Sequence, residues 1–286
     1  MITEAGKKMK QRVTLTIEEQ TLQKVDRTVN KTDIKNRSHA VEVLLNKAFG
    51  ENKLSTAVIL AGGKHSSKIR EKARHLPKPM IRVNNKPILE YNLELLKREG
   101  IKNIVISLGY KGDMIKEYFG DGNQQGLNIS YIKEQTPLGT GGPLKKLAGK
   151  IKNTFLVLNA DELKDIDLED MYLFHKKNKS TATIALTTTQ KPDEYGVAVM
   201  NGNKIMTFIE KPGHNAPSNL INAGLYIIEP EVLKDIPEGF SLLENDIFPR
   251  LADNEKLFGY VFSGQWFDIR TPHKFTQAEQ HWEGIK

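Results

Sequence analysis

Thr56-Ala57-Val58-Ile59-Leu60-Ala61-Gly62-Gly63 is an apolar run that stops at two glycines. Its length suits a strand covered on both faces, and similar runs recur downstream in alternation with helical spacing. Residues 104–107, 129–132 and 155–158 read as further strands, and helices are expected around 88–99 and near 113–119. That alternation predicts βαβ units, hence an α/β fold with a Rossmann-like, mainly parallel sheet flanked by helices. Ligands of such sheets bind beyond the carboxyl ends of the strands. Gly62 and Gly63 lie at such an end and, lacking Cβ, let backbone N–H groups approach an anion closely.

The chain has 286 residues, 38% hydrophobic and 27% charged, which is ordinary folded material with enough length for one large core and a small appendage. No apolar run approaches the length that spans a bilayer, so neither anchoring nor a membrane partner is expected, and the cytoplasm is the expected location. With no cysteine, disulfides, thiolate metal sites and a Cys nucleophile are excluded. Chemistry must come from carboxylates, amines, hydroxyls and backbone. Charge is uneven: residues 1–50 carry ten Lys and Arg against six acids, so +4 of the net +7 lies there.

Several motifs punctuate the larger part. Leu60-Ala61-Gly62-Gly63 is followed by Pro77-Lys78-Pro79, which fixes the backbone on either side of one lysine and presents its ammonium as a counter-charge for phosphate. Next come Glu134 with Leu138-Gly139-Thr140-Gly141-Gly142, then Asn159-Ala160-Asp161, Tyr195-Gly196-Val197, Glu210-Lys211-Pro212, Asn222-Ala223-Gly224 and Trp266-Phe267-Asp268-Ile269-Arg270-Thr271-Pro272. In this order they resemble the sugar-1-phosphate nucleotidyltransferase family over residues 55–280. The resemblance implies nucleotide contacts at Leu60, Gly62, Gly63, Glu134, Gly139 and Thr140. It implies sugar and sugar-phosphate contacts at Gly196, Glu210, Lys211, Asn222 and Gly224. Asp161 and Asp268 would hold Mg²⁺, an ion that takes one or two carboxylates together with phosphate oxygens and water. The nearby acids Glu162, Asp165 and Asp167 are expected to be solvated, though Glu162 could supplement that site.

The implied reaction is in-line attack of the sugar phosphate oxygen on the α-phosphorus of a nucleoside triphosphate, with pyrophosphate leaving. It needs positioning and charge neutralisation rather than a covalent nucleophile. Lys78 and Lys211 would orient phosphates. The family continues its Gly-Gly with another residue and then Gly-Thr-Arg-Leu, whereas this chain reads Lys64-His65-Ser66-Ser67-Lys68-Ile69. Lys68 or Arg70 would fill the catalytic arginine position, and a lysine cannot form the bidentate fork. Ala160 and Arg270 each replace a family glycine. Two functions follow: a nucleotidyltransferase, or a DNA-binding regulator whose altered domain senses a nucleotide or sugar phosphate with little turnover. Base and sugar stay open between mannose 1-phosphate with GTP and glucose 1-phosphate with UTP, CTP or dTTP.

The first fifty residues read differently. Val13, Leu15 and Ile17 alternate with Arg12, Thr14 and Thr16, as in one strand, and helices are expected over 18–29 and 39–49, the second closed by Gly50. So small a unit cannot build its own core, and without disulfides it must pair with another copy. The strand-helix-helix order, with Asn36-Arg37-Ser38 opening the second helix, resembles the ribbon-helix-helix family. That resemblance implies a homo-oligomer, dimer or tetramer, whose paired strands place Arg12, Thr14 and Thr16 against DNA base edges. The backbone at Arg37 and Ser38 would hold a phosphate. Residues 1–50 are expected as this module, 51–55 as a short linker and 56–286 as the nucleotidyltransferase domain.

Overall fold

The computed structural model describes residues 12–30, 34–49, 54–63 and 75–286. It comprises two compact units, Met1–Lys53 and Leu54–Lys286. In the first, helices α1 (Glu19–Arg27) and α2 (Arg37–Phe49) form. Asn36 caps α2 by accepting from the His39 amide at 2.9 Å. Arg37 forks onto Asp26, Nε to Oδ1 at 2.7 Å and Nη2 to Oδ2 at 2.6 Å, and so ties α2 to α1. Val25 and Ala40 are the buried apolar side chains there among the described residues. The strand expected over 12–17 does not form in the single chain: residues 12–18 adopt no regular element. A strand needs a hydrogen-bonded neighbour, and the described residues of this unit supply none. Gly50 lies outside the described residues.

The larger unit begins two residues earlier than its expected start at residue 56. Leu54 is buried in its core, and Ser55 accepts from the Asn103 amide at 3.2 Å. From there the chain runs through β1 (Thr56–Ala61), the small hairpin β2 (Arg82–Val83) and β3 (Lys86–Pro87), α3 (Ile88–Arg98), β4 (Asn103–Leu108), α4 (Gly112–Phe119) and β5 (Asn128–Lys133). Next are the short α5 (Gly142–Lys145), β6 (Phe155–Asn159), β7 (Glu162–Lys164), α6 (Leu168–Lys177), β8 (Ala182–Thr188), β9 (Gly196–Asn201), β10 (Lys204–Glu210) and β11 (Leu220–Ile228). The chain closes with α7 (Val232–Asp235), α8 (Phe248–Asp253), β12 (Leu257–Val261), β13 (Trp266–Asp268) and α9 (Pro272–His281).

Nine strands make one sheet in the order β5-β4-β1-β6-β11-β8-β12-β10-β9. The first four are parallel, as the buried apolar runs predict. Beyond β6 the sheet is mixed, because β11 runs antiparallel to both β6 and β8 while β12 is parallel to β8. The parallel half rests on a core that includes Ile59, Leu95, Ile104 and Leu158. A second core on Val58, Phe155, Tyr226 and Phe248 covers the opposite face. Apolar residues on alternate positions of β1 thus serve both layers.

Outside the main sheet, β13 pairs antiparallel with β7, with Asp268 opposite Glu162. That pairing draws the late Trp266-Phe267-Asp268 segment to the end of β6.

Candidate functional site

At the carboxyl end of β1, a methyl group on Gly62 would stand 2.0 Å from Oε1 of Glu134. The glycine is therefore required by the protein's own packing. Glu134 is itself buried: Ser107 donates to Oε1 at 2.6 Å and the Leu138 amide to Oε2 at 2.9 Å. Sequence assigns Glu134 to the nucleotide; in the structure Oε1 is held by Ser107 of β4 and Oε2 braces the following loop through the Leu138 amide. Leu60 is half-buried and Gly63 exposed, with open space around it among the described residues. Lys68 and Arg70, with the rest of the altered loop 64–74, lie outside the described residues.

The loop that Glu134 braces carries Gly139 at φ +75°, where a Cβ would lie 2.2 Å from the Ser241 carbonyl oxygen. Thr140 accepts from the Leu243 amide at 2.8 Å and donates to Glu244, a nearly buried carboxylate. Burial raises the Glu244 carboxyl above its ordinary value, against the Thr140 hydrogen bond. Tyr226 also donates to Glu244, at 3.4 Å, and receives from the Asn222 amide at 2.8 Å. Glu244 thus links the Gly139-Thr140 loop to the Asn222 turn. Nothing in its surrounding sequence marks it.

Asn222-Ala223-Gly224 is a bulge: the register of β11 on β8 shifts between Asn222 and Tyr226. Asn222 Oδ1 accepts from the Gly224 amide at 2.8 Å, and Gly224 sits at φ +60°. A Cβ there would lie 2.3 Å from Glu162 Oε2 and 2.5 Å from Asn159 Nδ2. Glu162 is half-buried, not solvated, and its counter-ion is Lys164, fully buried, which donates to Glu162 Oε2 and the Gly224 carbonyl oxygen, both at 3.1 Å. Burial outweighs Lys164 and raises the Glu162 carboxyl. Asp165 is likewise engaged, by Arg98 at 2.5 Å, and Asp167 caps α6 through the Asp170 amide at 2.8 Å.

Pro77 leads into a single 3₁₀ turn, Lys78–Met80, from which Lys78 Nζ reaches Asp161 Oδ2 at 3.1 Å. These two residues are 83 apart in sequence and keep a quarter or less of their side-chain surface open. Across the sheet, Gly196 stands opposite Glu210 in the β9–β10 ladder, and a Cβ at Gly196 would approach Glu210 Oε2 to 2.9 Å. Lys211 follows in the left-handed region at φ +49°, rare for a side-chain-bearing residue, held by its amide on the Tyr195 carbonyl at 2.9 Å. Its side chain is 60% exposed, and its ammonium lies 3.0 Å from Glu210 Oε1. Of the two lysines expected at phosphates, Lys78 thus pairs with Asp161 and Lys211, largely exposed, with Glu210.

Asp268 differs from expectation. Its side chain is 2% exposed and both oxygens are taken: Oδ1 by the Arg270 amide at 2.7 Å, and Oδ2 by Arg270 Nε, Lys274 Nζ and the Tyr195 hydroxyl, each at 2.9 Å. Burial opposes its charge, but Arg270 and Lys274 outweigh that and hold the carboxyl below its ordinary value. Arg270 Cζ and Lys274 Nζ both lie 4.6 Å from the Tyr195 ring centroid. Among the described residues, no three His, Cys, Asp or Glu are arranged to hold a metal ion. Among the described residues Asp161 engages Lys78 through Oδ2, whereas both oxygens of Asp268 are engaged.

The pattern of the nucleotidyl transferase family matches residues 56–284. The chain belongs to that family. A mannose-1-phosphate guanylyltransferase of Mycobacterium tuberculosis is 36% identical over 227 residues, covering 78% of this chain and 63% of that protein. The mannose-1-phosphate guanyltransferase beta-B of Xenopus laevis is 37% identical over 225 residues, 77% of this chain and 62% of its own. The chain therefore spans a little under two thirds of these relatives. Among solved structures, a putative glucose-1-phosphate thymidylyltransferase from Bacillus anthracis superposes with a TM-score of 0.73 at 22% identity, over 81% of this chain and 96% of its own. HddC from Yersinia pseudotuberculosis gives 0.68 at 27%, over 80% and 100%. The family match and these superpositions cover the larger unit of an α/β nucleotide-diphospho-sugar transferase fold.

Proposed function

We propose that the chain joins a sugar 1-phosphate to a nucleoside triphosphate, giving a nucleotide sugar and pyrophosphate, and that its pair is mannose 1-phosphate and GTP. The carrying observation is the convergence of Lys78–Asp161, Glu210–Lys211 and the Asn222–Gly224 bulge within one sheet system, supported by the guanylyltransferase names of the relatives above. Gly62 and the Gly139 loop would admit the nucleotide, while Lys211 and Lys78 would hold phosphates. Asp161 would hold Mg²⁺ together with phosphate oxygens, and the ion when bound neutralises charge on them. Pyrophosphate release over a grid of nucleoside triphosphates and sugar 1-phosphates tests this. Mannose 1-phosphate with GTP should lead, and Asp161→Ala should lower turnover about a hundredfold or more. Binding of those ligands without release by any pair would favour the sensing regulator instead.

A second reading concerns residues 10–50. Val13 and Leu15 are 68% and 56% exposed, and Leu44 and Leu45 are exposed on α2, so the unit leaves apolar side chains uncovered in a single copy. We infer that two copies pair strands through 12–17 in a ribbon-helix-helix dimer, presenting Arg12, Thr14 and Thr16 to DNA, with the Arg37 and Ser38 backbone on a phosphate. Affinity for DNA should then fall steeply with salt, and Arg12→Ala should relax site preference. Binding indifferent to both would refute the DNA half.

A further inference from the structure

The replacement of a family glycine by Arg270 has a structural counterpart at Asp268. The carboxylate that the resemblance assigns to a metal ion is sealed, and two cations already stand 2.9 Å from Oδ2. A divalent ion brought to the same oxygen would face both at close range, in surroundings where water screens little. The donor set does not fit Mg²⁺. Its open donors fit an anion: two cations share the buried Asp268, and a third of the Arg270 side chain and a quarter of that of Lys274 are open. Arg270 uses Nε on Asp268 and Nη1 on the Glu194 carbonyl oxygen at 3.4 Å, leaving Nη2 without an acceptor among the described residues. Lys274 also has a looser partner in the exposed Glu194, 3.8 Å away.

The position of this cluster matters as much as its charge. Tyr195, beneath both cations, adjoins Gly196, and its carbonyl oxygen accepts from the Lys211 amide at 2.9 Å. Asp268 is in register with Glu162, which abuts the Gly224 bulge. The cluster is therefore part of the wall that carries the expected sugar-phosphate contacts.

We propose that Arg270 takes the place of a divalent cation at Asp268: it neutralises that carboxylate and, with Lys274, donates to the phosphate of the sugar 1-phosphate. The assignment rests on reading the site as one for sugar phosphates, and it makes Asp268 a positioning residue for Arg270. A guanidinium fork suits a phosphate better than an ammonium does.

The test is binding on the full chain, without turnover. Mn²⁺ titration followed by electron paramagnetic resonance should give the same affinity within twofold for wild type and Asp268→Asn. Arg270→Gly should gain a Mn²⁺ site that disappears in the Arg270→Gly, Asp268→Asn double variant. In EDTA, calorimetry with mannose 1-phosphate and glucose 1-phosphate should show at least a tenfold loss on Arg270→Gly and partial retention in Arg270→Lys, which keeps the charge and guards against a folding artefact. A tenfold weakening of wild-type Mn²⁺ binding on Asp268→Asn would overturn the proposal, as would sugar-phosphate binding indifferent to Arg270 or undetectable in EDTA. Because pyrophosphate is not read, a chain that binds in this way yet releases none refutes only the enzymatic reading.

Discussion

At Gly139 and Gly149 the same backbone conformation meets different surroundings, so the two separate strain from collision. Both have φ near +75°, at +75° and +77°, but a Cβ at Gly139 meets the Ser241 backbone at 2.2 Å while one at Gly149 meets nothing within 4 Å. Gly149→Ala should cost about 1 kcal/mol, the left-handed penalty alone. Gly139→Ala should cost about 2–4 kcal/mol, because a backbone atom cannot swing aside as a side-chain tip can. Urea unfolding of the two variants checks this, and equal losses would contradict the packing of the loop on Ser241. Lys164→Met removes the counter-charge of Glu162 and should destabilise by about 3–5 kcal/mol in the same assay. Sequence shows glycines readily, since few residues follow a strand with φ above zero. Buried charge is another matter: Lys164 and Glu244 carry side chains that belong on surfaces, and contacts distant in sequence, the Gly224 carbonyl for Lys164 and Thr140 for Glu244, help make their burial tolerable.

Among elements, the parallel half of the sheet was legible and the rest was not, for one physical reason. Strands buried on both faces read as unbroken apolar runs, so β1 and β6 announce themselves and β4 nearly so, whereas strand direction is set by connections whose path no local pattern encodes. The join of α6 to the strands beside it shows what such distant contacts contribute. Burial opposes charge on Glu229, yet hydrogen bonds from His175, Lys176 and Thr154 outweigh it and hold the carboxyl at about 2. Lys176 Nζ lies 2.6 Å and His175 Nε2 3.2 Å from Oε1, and the other His175 nitrogen lies 2.8 Å from the Thr183 hydroxyl of β8. A carboxyl depressed on folding adds stability that is complete above its unfolded value, near 4.5, and is lost as pH falls toward 2. Glu229→Gln should therefore lower stability at neutral pH by about 1–3 kcal/mol and flatten the loss between pH 4.5 and 2. Acid unfolding followed by circular dichroism measures both, and parallel wild-type and variant curves would remove Glu229 from the account.

For the whole molecule, the consequential division is between the unit Met1–Lys53 and the unit Leu54–Lys286. The larger one has a packed sheet, and the described residues of its candidate site all lie within it. The smaller one buries only Val25 and Ala40 among its described apolar side chains and leaves Val13 and Leu15 exposed, a balance that does not sustain an independent core. If the strand over 12–17 exists only by pairing, then association and catalysis are separable properties of one chain. Charging the exposed face with Val13→Asp and Leu15→Asp should convert a dimer into a monomer in light scattering, since paired like charges on one strand face repel and lose their apolar contact. Pyrophosphate release per chain should stay within about twofold of wild type, because every residue proposed for nucleotidyl transfer lies beyond Leu54. DNA affinity should fall by at least an order of magnitude, as each monomer would keep half of the phosphate contacts. A double variant that remains dimeric would place the association elsewhere, and one that became monomeric and lost turnover would bind the two units into a single functional body.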